Sequence, residues 1–204
     1  SNKGEWIDQL MKPYKLEPGG KIKLKERNPK WLNDDYVKFL RYGQHYIEKN
    51  GSGVLAFINP HGYLDNPTFR GMRWHLLKTY DKIYTIDLHG NSNKKEVSPD
   101  GSPDKNVFDI KQGVSINLFI KTGNKHVNSL GKVMHYDLYG ERDHKYKFLT
   151  ENSLSSIDFE SLNPESPYFF FYKRDTTHKA EYYRGIILDE LFINKSTGYY
   201  TSCD

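Results

Sequence analysis

Between Gly53 and Thr122 the spacing of apolar residues changes period in an order that reads strand, crossover helix, strand, polar loop, strand. Val54 to Ile58 is apolar at every position, the pattern of a strand buried on both faces inside a parallel sheet. Asn66 and Pro67 follow as N-cap and first helical residue. Phe69, Met72, Leu76, Leu77 and Tyr80 then recur at helical spacing, with Arg70, Arg73 and Lys78 off that apolar face. Ile83 to Leu88 closes a β-α-β unit, expected to be right-handed. Val114 to Ile120 is rich in β-formers. In Lys132 to Leu138, Val133, His135 and Asp137 alternate with Met134, Tyr136 and Leu138, and the short connection predicts an antiparallel hairpin.

The flanks carry the same alternation of element types. Glu5 to Lys12 reads as a short helix with Trp6, Ile7, Leu10 and Met11 on its apolar side, stopped by Pro13. Lys15 to Lys30 is polar, with a Pro18-Gly19-Gly20 turn and several basic residues after it, and reads either as a solvated linker or as a phosphate-contacting loop. Asn33 or Asp34 caps a long helix whose apolar positions are Leu32, Tyr36, Phe39, Leu40, Gly43, Tyr46 and Ile47, ended by Asn50-Gly51. Downstream, Glu141 to Leu149 reads as a helix, Tyr168 to Tyr172 as an aromatic strand and Glu181 to Phe192 as a second helix. No internal repeat is visible.

Composition sets the outer limits. A chain of 204 residues predicts one domain or slightly more, and 15% aromatic residues argue for a real core rather than disorder. The formal net charge of +4 permits a nucleic-acid partner without requiring one. The single cysteine, Cys203, builds neither a disulfide framework nor a cysteine-based zinc site within one chain, and fits a reducing cytosol. No apolar run approaches the roughly 20 residues of a membrane span.

Candidate chemistry is sparse. No two of the eight histidines are three or four residues apart, so no metal site is expected, and His89 and His135 read as ordinary hydrogen-bonded residues. Pro103-Asp104 followed by Asp109-Ile110-Lys111 mimics the acidic pattern of metal-dependent nucleases, but only four residues separate the halves. A phosphate-binding P-loop and the GxGxxG and GxSxG motifs are absent from the sequence. Phe108 sits where the long polar loop His89 to Asn106 turns into a strand. It is either a core residue or an aromatic placed to stack on a planar ligand or an extruded base.

The stretches GVLAFINPHGYLDNPTFRGMR and IYTIDLHGNSNKKEVSPDGSPDKNVFDIKQGVSINLFIKTG resemble the adenine-specific DNA methyltransferase region of type IIG (type ISP-like) restriction-modification enzymes. The opening SNKGEWI resembles the segment that follows that family's NPPY motif, and the likeness is strongest over residues 1–150. Residues 151–204 resemble a connecting segment toward a target-recognition domain. The resemblance implies an α/β fold: the C-terminal part of a Rossmann-like S-adenosylmethionine-dependent methyltransferase domain, a mixed sheet with an antiparallel hairpin.

It also implies transfer of a methyl group from S-adenosylmethionine to N6 of a flipped adenine in double-stranded DNA, in a bacterial or archaeal cytoplasm. Mg2+ would serve only a nuclease domain elsewhere in the parent polypeptide. Val107-Phe108…Gly113-Val114 matches the family's base-contacting motif, which assigns stacking on the adenine to Phe108. Tyr36 and Phe39 match the region near the cofactor, and Arg70, Arg73, Lys94 and Lys95 are the candidate phosphate contacts. The sequence departs from the family in having neither NPPY nor a glycine-rich cofactor-binding turn. The expectation is therefore a fragment, inactive alone and dependent on the remainder of the parent. The alternatives are a non-catalytic DNA-binding or assembly module that needs a partner chain, and a metal nuclease using Asp104.

Overall fold

A computed structural model describes residues 4–26, 29–126, 129–173, 177–178, 181 and 184–185. The chain divides into two compact units, Ser1–Lys173 and Arg174–Asp204. The helix expected over Glu181 to Phe192 falls largely outside the described residues. In the second unit His178 Nδ1 lies 3.2 Å from a Glu181 carboxylate oxygen.

The first unit is a five-stranded mixed sheet. Its strands are β1 (Gly53–Pro60), β2 (Lys82–Asp87), β3 (Val114–Lys121), β4 (Lys132–Asp137) and β5 (Glu160–Leu162), in the order β1-β3-β2-β4-β5. The helices are α1 (Glu5–Met11), α2 (Asp35–Asn50), α3 (Arg70–Thr79) and α4 (Arg142–Glu151). β3 is antiparallel to both β1 and β2, so β1 and β2 run the same way without touching, and β4 pairs in parallel with β2. The carboxyl ends of β1, β2 and β4 therefore share one edge of the sheet. β5 pairs with β4, and the Phe171 N–H donates to the Leu64 carbonyl, which builds residues 151–173 into this unit.

Two strand expectations are corrected by this topology. β1 is an edge strand rather than an interior parallel one. Leu55 and Phe57 face the core beside α2, whereas Val54 and Ile58 on the opposite face are 61% and 50% exposed. A continuous apolar run marks what a strand can pack against, and one such face here carries no cover among the described residues. The expected hairpin between β3 and β4 is also absent. β1 and β2 already occupy both edges of β3, so β4 must cross to the far side of β2.

The α3 start follows the expected chemistry. The Asn66 side-chain oxygen accepts from the Thr68 N–H at 2.9 Å, Pro67 opens a 3-10 turn, and α3 continues from it. All five expected apolar residues of this segment are buried. Arg70 and Arg73, expected off the apolar face as candidate phosphate contacts, are buried too. Arg70 bonds Glu17 and Glu26 of the preceding loop, and Gly71 lies so close to the Leu16 carbonyl that an added Cβ would sit 2.0 Å from its oxygen. Residues 15–26 are thus clamped onto α3 rather than forming a solvated linker.

In α2 the buried positions are Val37, Leu40, Arg41, Gln44 and Ile47, while Phe39 and Tyr46 point outward at 48% and 43% exposure. Gly43 lets β1 approach, since a Cβ there would lie 2.8 Å from the Leu55 side chain. Gly51 ends the helix with φ 85, a left-handed conformation that glycine adopts without strain. Trp6 of α1 is likewise 53% exposed, while Ile7 and Met11 carry its packing. The segment Tyr168 to Tyr172 is irregular rather than a strand, because its Tyr168 and Phe169 carbonyls turn to accept from Arg73.

A polar network joins α2 to α3. Gln44 accepts from the Tyr14 hydroxyl at 2.7 Å, and its amide nitrogen lies 2.9 Å from His75 Nδ1. Burial lowers the His75 pKa to about 4, so the folded protein keeps this imidazole neutral where the unfolded chain, near 6.5, protonates it. The folded pKa is depressed, so this contribution is intact above pH 6.5 and is lost as pH falls toward 4. The expected loss is at most about 3 kcal/mol. Urea melts of wild type and His75→Gln across that range check it; the variant should show a shallower pH slope.

Candidate functional site

The turn after the long polar loop is fastened from behind and open in front. Asn106 is buried, and its Oδ1 accepts from the Phe108 N–H at 2.9 Å while its amide donates to the Gln112 carbonyl at 2.7 Å. Such a side-chain-closed turn fixes the backbone without secondary structure. Val107 is buried, its carbonyl accepts from the Tyr146 hydroxyl at 2.7 Å, and the Arg142 guanidinium donates to the Asn106 carbonyl at 2.9 Å. α4 thus holds the turn through two side chains. Phe108 and Ile110 project from it, 41% and 49% exposed, into a groove of about 660 Å3 whose walls include Gly90, Lys95, Lys105 and Arg142.

The same elements fix the charge of the groove. Asp104 is buried against Lys145 at 2.7 Å and also accepts the Gly90 and Gly140 N–H groups. Asp109 is 92% exposed and pairs with Arg142 at 2.7 Å. Glu96 lies 3.3 Å from His89. The acidic groups are therefore neutralised locally, whereas Lys95, Lys105 and Lys111 form no ion pair among the described residues. Apolar stacking area beside three unpaired ammonium groups is suited to a planar base and its phosphates.

Asp104 is paired with buried Lys145 and Asp109 with Arg142, and neither belongs to a metal-competent cluster among the described residues, which argues against the nuclease-like reading. Asp104 is structural: Asp104→Asn leaves Lys145 as a buried cation without its counter-charge. A loss of about 3–5 kcal/mol is expected, measurable as a drop in denaturation midpoint with the helical signal otherwise retained.

Of the residues singled out as base, cofactor or phosphate contacts, Phe108 and Lys95 line the groove. Lys94 is adjacent and holds an exposed ion pair with Asp65 at 3.4 Å, weak enough for an anion to replace. Arg70 and Arg73 face inward and spend their donors on protein acceptors, which leaves neither for phosphate. Tyr36 packs against the core, where burial drives its hydroxyl pKa up, and Phe39 is outward; neither lines the groove. Lys105 and Arg142 were not singled out, and Ile110 and Lys111 entered only through the nuclease-like pattern, although each follows from placing the loop and α4 on the same sheet edge.

A second polar assembly lies at the shared carboxyl edge of β1, β2 and β4, where ligands of open α/β sheets gather. The His61 ring follows β1, Asp87 ends β2 with His89 just beyond it, and Asp137 ends β4 in register with Asp87. His61 Nδ1 is 2.9 Å from Asp87, and His89 Nε2 is 2.8 Å from Asp137. His135 Nε2 reaches the same Asp137 oxygen at 3.2 Å, and Tyr139 stacks on the His89 ring at 3.8 Å. Burial pulls the His89 pKa down, but Asp137, Glu96 and Asp87 outweigh it and hold it up at about 9. Burial pushes the Asp137 carboxyl up, but its bonds to His135 and His89 outweigh that and keep it well below the usual carboxylate range. Gly113 of the Val107-to-Val114 motif makes room for this arrangement, since a Cβ there would lie 2.5 Å from the His61 ring.

No protein-family model matches the sequence, and no curated protein matches it. Solved structures do. The cryo-EM structure of the DrdV–DNA complex matches with a TM-score of 0.70 at 23% identity over 86% of this chain and 16% of that chain. The ATP-dependent Type ISP restriction-modification enzyme LlaBIII bound to DNA matches at 0.68 and 22%, over 88% of this chain and 13% of that one. A nuclease-deletion mutant of the Type ISP restriction-modification enzyme LlaGI, in complex with a DNA substrate mimic, matches at 0.67 and 20%, over 86% and 14%. The chain therefore spans less than a fifth of the length of the structures it matches. It shares the fold of a segment within these much larger proteins.

Proposed function

We propose that this chain is part of the DNA-methylating region of a restriction-modification enzyme and that Phe108 stacks on an adenine turned out of the duplex. The observation that carries the reading is the Phe108 turn itself: an aromatic ring held half-exposed by buried neighbours, in a groove with unpaired lysines. Base flipping requires an aromatic surface that compensates for lost stacking and cations that hold the distorted backbone. Lys95, Lys105 and Lys111 serve the second need, with Lys94 beside them. Structures of the same fold hold DNA in the complexes described above, which supports the choice of partner.

S-adenosylmethionine, when bound, supplies the methyl group that N6 of the adenine accepts. Tyr36 is committed to the core and Phe39 stands outside the groove, so these residues form no cradle for it with Phe108. We assign the cofactor pocket to the remainder of the parent polypeptide. The open edge and exposed apolar face of β1 are suited to continuing the sheet into that remainder.

The expected result is that the 204-residue chain, incubated with S-adenosylmethionine and DNA, makes no N6-methyladenine, and that the complete polypeptide does. Robust methylation by the chain alone would refute the division of labour. Β1 exposure also favours a second reading, an assembly module completed by a separate chain. Activity that depends on an added partner chain rather than on a continuous polypeptide would select it.

A further inference from the structure

The assembly at the strand ends also brings metal-ligating side chains together from three separate parts of the chain. Each of two buried imidazoles has a carboxylate behind it: Asp87 on His61 Nδ1 and Asp137 on His89 Nε2. A carboxylate there fixes the proton on that nitrogen and turns the lone pair of the other nitrogen inward. His61 Nε2 accordingly meets an N–H of Asn91 at 3.1 Å. Among the described residues His89 Nδ1 has no such donor; it faces the Glu96 carboxylate at 3.3 Å. That contact is held by a cation between the two groups, either the second imidazole proton or a metal ion that displaces it.

We propose that His61 Nε2, His89 Nδ1 and Glu96 bind a transition-metal dication of the zinc class. One ligand atom from each of the three residues lies within 4.8 Å of the others. With metal–ligand distances of about 2.1 Å, the 3.3 Å between His89 Nδ1 and Glu96 subtends about 104°, close to tetrahedral. Full coordination needs His61 to close in and the Asn91 amide to give way, a side-chain movement at the edge of a loop. Two imidazoles and one carboxylate suit zinc-class ions better than magnesium or calcium, which favour all-oxygen sites. Spacing along the chain conceals this site, because its ligands come from the exit of β1, the exit of β2 and the loop beyond. Glu96 also lines the Phe108 groove, so the ion would pin one wall of it.

The test titrates chelator-stripped, full-length protein with Co2+, whose visible absorption reports its geometry, and then competes with Zn2+. One Co2+ per chain with an intense tetrahedral-type band, displaced by equimolar Zn2+, is the expected result. Zn2+ should also raise the melting temperature of the stripped protein. Glu96→Gln should weaken Co2+ binding by at least about tenfold, and Asp137→Asn by about 10- to 100-fold. If Glu96→Gln does not fold, His61→Gln takes its place with the same expected loss. Absence of a stoichiometric band in the wild type, leaving a proton as the only cation between His89 and Glu96, would overturn the site. A band unchanged by either ligand substitution would overturn it equally.

Discussion

Phe108→Ala in the complete enzyme is expected to lower methylation by roughly 5- to 150-fold, the equivalent of losing about 1–3 kcal/mol of base stacking. Phe108→Trp should keep most of the activity, since stacking needs a π-face and not a particular hydrogen bond. Stability separates this role from a packing role. The ring is 41% exposed, while Val107 and Asn106 beside it carry the buried contacts. Removing a ring so placed should change the unfolding free energy by less than about 0.5 kcal/mol. Steady-state methylation and a urea melt of the same variant check both halves. A large loss of stability with proportionate loss of activity would mean that Phe108 is a core residue.

Arg73→Met is expected to do the reverse, destabilising the fold without touching the groove. Arg73 is fully buried, and its guanidinium donates to the carbonyls of Tyr63, Asn66, Tyr168 and Phe169 at 2.6–3.0 Å, with the Phe170 ring 5.0 Å away. Burial lowers its pKa to about 9, still above neutrality, so it remains a cation. Its planar fork ties α3 to the turn before it and to the Tyr168–Phe169 segment nearly a hundred residues later. Methionine matches its volume but leaves four acceptors unanswered. The expected cost is about 3–5 kcal/mol, or a fall in melting temperature of roughly 6–20 °C. Arg73→Lys should recover only part of it, because one ammonium cannot reproduce the fork. An unchanged melting temperature would show that water satisfies those carbonyls.

Local chemistry made much of this fold legible. Asn66-Pro67 marked the start of the helical segment because cap and proline act within four residues, and Asn50-Gly51 marked the end of α2 for the same reason. Strand partners were not legible in that way. Nothing local to Val114–Lys121 says that β1 and β2 will take both its edges, so a nearby strand was read as its hairpin partner. Arg73 shows a signal that was present and passed over. It stands four residues from both Phe69 and Leu77, on the apolar stripe itself, where an arginine must be buried with acceptors. In α2 the aromatic residues drew the helical face toward Phe39 and Tyr46, whereas Val37, Leu40, Gln44 and Ile47 form the buried stripe. Phe108 was singled out through its motif, and the structure places it half-exposed in the groove. Lys94 and Lys95 were named with it, whereas Lys105 and the strand-end histidines needed the topology, because these groups meet only when β1, β2 and β4 end on one edge.

The proposed role of Phe108 requires its ring to meet the target base. The most direct measurement is photocross-linking of the complete enzyme to DNA carrying 5-iodouracil at the methylated position, once sequencing of methylated DNA has located it, with the adduct mapped by mass spectrometry. The expected adduct lies on Phe108 and disappears in Phe108→Ala. An adduct confined to residues outside 104–113, with Phe108 unmodified in the cross-linked complex, would contradict it.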